Sequence, residues 1–139
     1  MRRILGFNEE YRWLSNFWVG HTGHVEGRYQ SYKLSPPYPG FMQTLLPNAA
    51  KKLGHSFDVQ GLTRKDWREV KVGIMESLLE EKLEDNPQLL PLLLATEDAY
   101  LEETNYWGDT FWGVCKGKGE NNLGRLWMKI RRRRRFIRR

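Results

Sequence analysis

Apolar positions keep a helical period most clearly in residues 63–86, where Trp67, Val70, Ile74, Leu78 and Leu83 recur while Lys65, Arg68, Glu69, Glu76, Glu80 and Glu81 fill the places between. One buried and one wet face predict an amphipathic helix. Thr63 with Asp66 three residues on resembles a capping box, and Asn86-Pro87 closes the segment. Residues 88–95 read as a shorter apolar helix. Residues 123–135 read as a closing helix with Leu123, Leu126 or Trp127, and Ile130 turned inward. Upstream, residues 25–33 predict a short helix stopped by Ser35-Pro36-Pro37, and residues 41–46 a further helical turn. Pro47 suits the first turn of a helix over 47–53, with Gly54 as its left-handed stop. Short strands are expected near residues 4–7 and 99–102. The expected fold is mainly α, a multihelical single domain over residues 1–130 with a few short strands, with α+β as the alternative and an arginine-rich tail at 131–139.

Residues 104–124 break this pattern. They have almost no apolar periodicity, yet carry Tyr106, Trp107, Phe111 and Trp112 and five glycines. Structureless loops beyond ~12–15 residues are uncommon in compact domains. Four aromatic rings must bury area somewhere, so the segment reads as an ordered, functional loop.

Composition adds exclusions. At 139 residues, 40% hydrophobic and 29% charged, the chain is an ordinary globular length and mixture. A single cysteine, Cys115, excludes an internal disulfide framework and a cysteine-rich zinc site. The longest apolar run, residues 89–95, contains Pro91 and falls far short of the ~20 residues that span a bilayer. Met1-Arg2-Arg3 opens like a signal peptide, but Asn8-Glu9-Glu10 ends the apolar run at once. The expectation is a cytoplasmic protein, monomeric or weakly oligomeric, with no membrane partner. The net charge of +6 is local: the seven arginines between Arg131 and Arg139 exceed it, and the rest sets 16 Lys and Arg against 17 Asp and Glu. Such a run can hold nucleic-acid phosphates, or simply solvate and complement a helix C-terminus.

Three constellations carry candidate chemistry. Glu26, Gln30 and Lys33 stand at i, i+4 and i+7, so on a helix a carboxylate, an amide and an amine share one stripe and can converge on a substrate; the alternative is two solvated charges. In Trp107-Gly108-Asp109-Thr110-Phe111-Trp112-Gly113, rings suit stacking on a heterocycle and Asp109 suits ribose hydroxyls; the same rings can instead seal a core. In Gly117-Lys118-Gly119-Glu120-Asn121-Asn122-Leu123-Gly124, glycines before a helix can cradle a phosphate, or form a turn capped by Asn122. Its glycine spacing fits neither a dinucleotide fingerprint nor a Walker loop. His21 and His24 lack further metal ligands, Cys115 lacks a sequence-adjacent activating histidine, and no Gly-x-Ser-x-Gly elbow occurs.

Together these segments resemble the NADAR family of YbiA-like N-glycosidases. The resemblance rests on Leu14-Ser15-Asn16-Phe17, Val25-Glu26…Tyr29-Gln30…Lys33, Ala49-Ala50-Lys51-Lys52-Leu53-Gly54 and Trp67…Val70-Lys71…Met75. It continues through Leu92-Leu93-Leu94-Ala95-Thr96, Trp107-Gly108-Asp109…Trp112-Gly113 and residues 117–126. The segment between Phe17 and Glu26 is shorter than the family usually has. The resemblance implies Glu26 as catalytic carboxylate and Lys33 as the family's helical lysine, with Asp109 on ribose. It further implies substrate contacts from Asn16, Phe17, Tyr29, Gln30, Trp107, Gly108, Trp112, Gly113, Gly119, Asn121 and Asn122. The implied reaction is hydrolysis of the C–N bond between ribose and a base or amine, without cofactor or metal. Its substrate is either ADP-ribosyl guanine in nucleic acid, held through the arginines, or a ribosylamino-pyrimidine phosphate of riboflavin synthesis. The other reading is a non-catalytic binder, a sensor or sponge, of nucleotides derived from NAD or ADP-ribose.

Overall fold

The computed structural model describes residues 1–37 and 39–137, so Arg138 and Arg139 of the expected tail lie outside the described residues. Helix dominates: a 3₁₀ helix at Glu9–Leu14, then α1 (Val25–Ser31), α2 (Pro39–Gln43), α3 (Pro47–Val59), α4 (Trp67–Asp85), α5 (Leu89–Ala95) and α6 (Asn122–Ile137). Four short strands accompany them, β1 (Arg3–Leu5), β2 (Tyr100–Glu102), β3 (Thr104–Asn105) and β4 (Val114–Cys115). The mainly α reading therefore holds. The chain divides into two units, Asn16–Asn86 and the pair Met1–Ser15 with Pro87–Arg139.

In the Asn16–Asn86 unit, α1 contacts α2, α3 and α4. Met42, Ala50 and Phe57 form a buried cluster, with Leu34, Leu45 and Leu53 packed against it. Helix α3 runs six residues past the expected stop. Gly54 has no left-handed backbone and sits inside the helix, where a side chain would collide with the Gln30 amide. Close approach, not turn geometry, requires this glycine. Gly27 has a similar role in α1, because a Cβ there would stand 2.8 Å from the Met42 carbonyl oxygen.

The start of α4 also differs from the capping-box expectation. Thr63 donates its hydroxyl to Asp58 at 2.5 Å, and the helix begins after Asp66. The deeply buried face is Met75, Leu78, Leu79, Lys82 and Leu83, whereas Trp67, Val70 and Ile74 stay partly exposed. The apolar count was phased too far toward the first turns, because a buried lysine interrupts the true core stripe. Asn86 ends α4: its Nδ2 donates to the Lys82 carbonyl at 2.9 Å, and its Oδ1 accepts from His21 N at 3.0 Å. Thr22 Oγ1 to Asp85 at 2.9 Å secures the same short loop, so the abbreviated segment ahead of Glu26 is ordered by the end of α4.

In the other unit, β1 and β2 pair in parallel, with Ile4 opposite Leu101. Strands β3 and β4 also pair in parallel, with Asn105 opposite Cys115. Leu123, Leu126, Trp127 and Ile130 supply the buried face of α6, and the Trp127 indole donates to the Leu14 carbonyl at 3.0 Å. Residues 131–137 continue α6 without a break and do not form a separate tail.

Candidate functional site

Helix α1 is positioned by a histidine, one of the two that lack further metal ligands in the sequence. His24 occupies the N-cap, where its Nδ1 accepts from Gly27 N at 2.9 Å and its Nε2 lies 2.8 Å from the Leu45 carbonyl. An acceptor at Nδ1 and a donor at Nε2 define the neutral Nε2–H tautomer, and both ring nitrogens are occupied. One residue before that cap box closes on Glu26, Asn16 adds a second anchor: its carbonyl accepts from Glu26 N at 3.0 Å. The Asn16 side chain turns to α4, where Nδ2 approaches the Met75 sulfur at 3.6 Å.

On this frame Glu26 is 7% exposed and Gln30 6%. Gln30 Nε2 donates to Glu26 Oε2 at 2.8 Å, the i,i+4 contact that the sequence spacing predicts. The bond orients the carboxylate; among the described residues, Gln30 Oε1 and Asn16 Oδ1 are buried acceptors without hydrogen-bond partners. Unsatisfied buried acceptors are costly and mark where a donor-bearing ligand or water belongs.

Lys33 does not extend the Glu26–Gln30 stripe as a helical residue. Helix α1 ends at Ser31, and Lys33 lies in the turn beyond it. Its ammonium donates to the Gly54 carbonyl at 3.1 Å and pairs with Asp58 at 2.9 Å, with the residue 6% exposed. Burial opposes the Asp58 charge, but the Thr63 hydroxyl and the Lys33 ammonium outweigh it and hold this carboxyl below its ordinary range. Gly54 thus serves both family positions: its bare Cα makes room for the amide that holds Glu26, and its carbonyl receives Lys33. Tyr29 stacks obliquely on Trp67 at 5.0 Å and Phe17, 38% exposed, lies under Lys51 at 5.8 Å.

A lysine absent from the sequence candidates is buried in the same unit. Lys82 lies 5.3 Å from the Trp18 ring, beside a small cavity also lined by His24, Arg28 and Asn86. Burial drives its pKa down to about 7. Only its position on the core face of α4 reveals it, since charge patterning places lysines outside. A groove of about 440 Å³ runs along α4 between Tyr32, Val70, Ile74 and Leu78, and contains none of the predicted site residues.

The second candidate segment belongs to the other unit and is held by side-chain amides. Asn105 receives Asp109 N at 3.0 Å and donates to the Asp109 carbonyl at 2.8 Å, closing the Trp107-Gly108 turn. Gly108 takes φ +89°, which explains the glycine there. Asp109 Oδ1 accepts from Phe111 N and Trp112 N at 3.1 and 2.9 Å, so this carboxylate holds the backbone of the loop that follows it. Trp107 is 53% exposed and meets Tyr106 edge-to-face at 5.1 Å, whereas Trp112 is partly buried against Phe111.

Of the residues expected to cradle a phosphate, Asn121 and Asn122 have their backbone N–H groups already engaged. Glu120 N, Asn121 N, Asn122 N and Leu123 N donate to the carbonyls of Thr110, Gly113, Phe111 and Trp112. The donors at the start of α6 are therefore consumed by the Trp-rich loop. The Asn121 side chain is likewise engaged, receiving Glu103 N at 3.0 Å and donating to the Leu101 carbonyl at 2.9 Å. Asn122 donates its amide to the Phe111 carbonyl at 2.9 Å. Gly113 and Gly119 are fixed by crowding, since a Cβ on either would strike a backbone carbonyl.

Residues 7–135 match the NADAR domain. Over 85 residues the chain is 38% identical to a riboflavin biosynthesis protein of Vibrio vulnificus, across 60% of this chain and 23% of that protein. Over 89 residues it is 39% identical to N-glycosidase YbiA of Escherichia coli, across 61% of this chain and 52% of that one. These matches span about a quarter of the first relative and about half of the second. The NMR structure of Escherichia coli YbiA matches with a TM-score of 0.80 at 29% identity, over 99% of this chain and 89% of that one. No described helix is long and apolar enough to cross a membrane.

Proposed function

The chain belongs to the NADAR family, and from that premise we propose that it is an N-glycosidase, hydrolysing the C–N bond between a ribose and a base or amine with Glu26 as the reacting carboxylate. The observation that carries this reading is the Glu26 carboxylate itself, buried at the start of α1 and held by Gln30 at 2.8 Å beside two unpartnered buried acceptors. Breaking the bond builds positive charge on the anomeric carbon. A fixed carboxylate stabilises that charge, or takes a proton from water as its oxygen attacks C1 while the leaving nitrogen departs and is protonated. Asn16 Oδ1 suits a ribose hydroxyl or the attacking water.

The alternative chemistry, attack of Lys33 on C1 of an opened ribose, is disfavoured by position. Its ammonium must first leave both Asp58 and the Gly54 carbonyl.

For substrate, the names of the relatives favour a ribosylamino-pyrimidine phosphate, and ADP-ribosyl guanine in nucleic acid is the second choice. A non-catalytic binder of NAD- or ADP-ribose-derived nucleotides is the rival reading, favoured by the sequestration of Lys33. The test is to offer both substrates to wild type and Glu26→Gln and to quantify released base by chromatography. Glu26→Gln should turn over at least ~100-fold more slowly with its melting temperature retained. Wild-type turnover in Glu26→Gln would remove Glu26 from the chemistry, and binding without release by wild type would establish the binder.

A further inference from the structure

Charge counting treats the arginines of α6 as one block, but the helix sorts them. Arg131 is 6% exposed and donates to Thr96 Oγ1 at 2.8 Å. Arg135, one turn on, pairs with Asp98 at 2.9 Å. Arg131 shares the buried face of Leu123, Trp127 and Ile130, and Arg135 lies half-exposed at its edge. The opposite face presents Arg125, Lys129, Arg132 and Phe136, all exposed, at i, i+4, i+7 and i+11. Those four positions fall within ~60° of arc and run about 16 Å along the helix. No acidic residue occurs in α6.

From this arrangement we infer that the Arg125–Lys129–Arg132 stripe of α6 is a docking ridge for the phosphate backbone of a nucleic acid, with Phe136 at its end as a stacking surface for an unpaired base. Three cations one turn apart match a regularly repeating polyanion, and guanidinium groups suit phosphate oxygens. An anionic membrane fits less well, because a helix lying in a bilayer surface turns an apolar face to the lipid, and the apolar face of α6 is already buried in its own unit. The inference stands on charge and helical phase alone, and holds whether or not the chain is a glycosidase.

The experiment is fluorescence anisotropy with a labelled single-stranded oligonucleotide, on wild type and Arg125→Gln/Lys129→Gln/Arg132→Gln. All three positions are exposed, so circular dichroism should show the variant folded. Wild-type affinity should fall with salt at a log–log slope of about −2, the value for three phosphate contacts on a single strand. The triple variant should bind at least tenfold more weakly and lose that slope. Arg132→Lys, which keeps the charge, should retain most of the affinity that an Arg132→Gln single variant loses. Equal binding by wild type and triple variant, no binding by wild type, or equal affinity for polyglutamate or phosphatidylserine vesicles would each overturn the inference.

Discussion

Removing the buried charge at Lys82 should stabilise the protein at neutral and acidic pH. The residue is 4% exposed, and burial lowers its pKa from 10.5 to about 7. Below pH 7 both folded and unfolded chains carry the proton, and the folded state bears the whole cost of a buried ammonium. Between 7 and 10.5 the unfolded chain binds a proton that the folded one does not, so this residue makes stability rise with pH across that window. Above it neither state is charged and the cost vanishes. A difference of about 3.5 between the two pKa values corresponds to a ceiling of about 5 kcal/mol. The Trp18 ring at 5.3 Å favours the ammonium by ~1–2 kcal/mol when desolvated, which leaves roughly 3 kcal/mol. Lys82→Met keeps the length of the side chain without its charge. Urea unfolding of both proteins, followed by tryptophan fluorescence from pH 6 to pH 10, isolates this group, because all other titrations cancel in the difference. Lys82→Met should be more stable by about 3 kcal/mol at pH 6, and most of that advantage should be gone by pH 10. Parallel curves, or a less stable Lys82→Met at pH 6, would refute the reasoning.

Gly54→Ala pushes a methyl into the Gln30 amide while adding helix propensity to α3. If close approach dominates, urea midpoints should show a net loss of about 1–2 kcal/mol, and glycosidase turnover should fall as Glu26 loses its partner; a gain near 1 kcal/mol would mean that propensity wins. Asn121→Ala abolishes the bonds to Glu103 N and the Leu101 carbonyl and leaves a non-glycine, non-asparagine residue at φ +53°. Its unfolding free energy should drop by about 3 kcal/mol, whereas a loss under ~1 kcal/mol would show that this amide does not hold β2 to the start of α6.

The parts of the site legible in the sequence were those set by local geometry. Glu26 and Gln30 stand four apart, and the helix brings them into contact as the spacing requires. Lys33 was placed by extending the same period to i+7, but the helix stops at Ser31 and the lysine turns to α3 instead. Period alone cannot state where a helix ends when proline lies several residues downstream. Gly54 was read as punctuation for a related reason. A glycine needed for left-handed backbone and one needed for close approach look alike in sequence, and Gln30, the residue that decides between them, lies 24 positions away.

Residues 104–124 show the same limit from the opposite side. Their lack of periodicity marked an unusual loop correctly, but hid how the loop is held. Asn105, Asp109 and Asn121 act as backbone substitutes, donating and accepting where helix or sheet partners would otherwise stand. Because the N–H groups opening α6 are already taken by the carbonyls of residues 110–113, a glycine-rich turn before a helix is not here a free anion cradle. The carboxylate of Asp109 takes part in this as well, since its Oδ1 accepts from both Phe111 N and Trp112 N. Asp109→Asn therefore does not remove only a ligand contact. It removes charge from the oxygen that two backbone donors share, so a loss of activity in that variant would need an unchanged melting temperature before it could be assigned to the sugar.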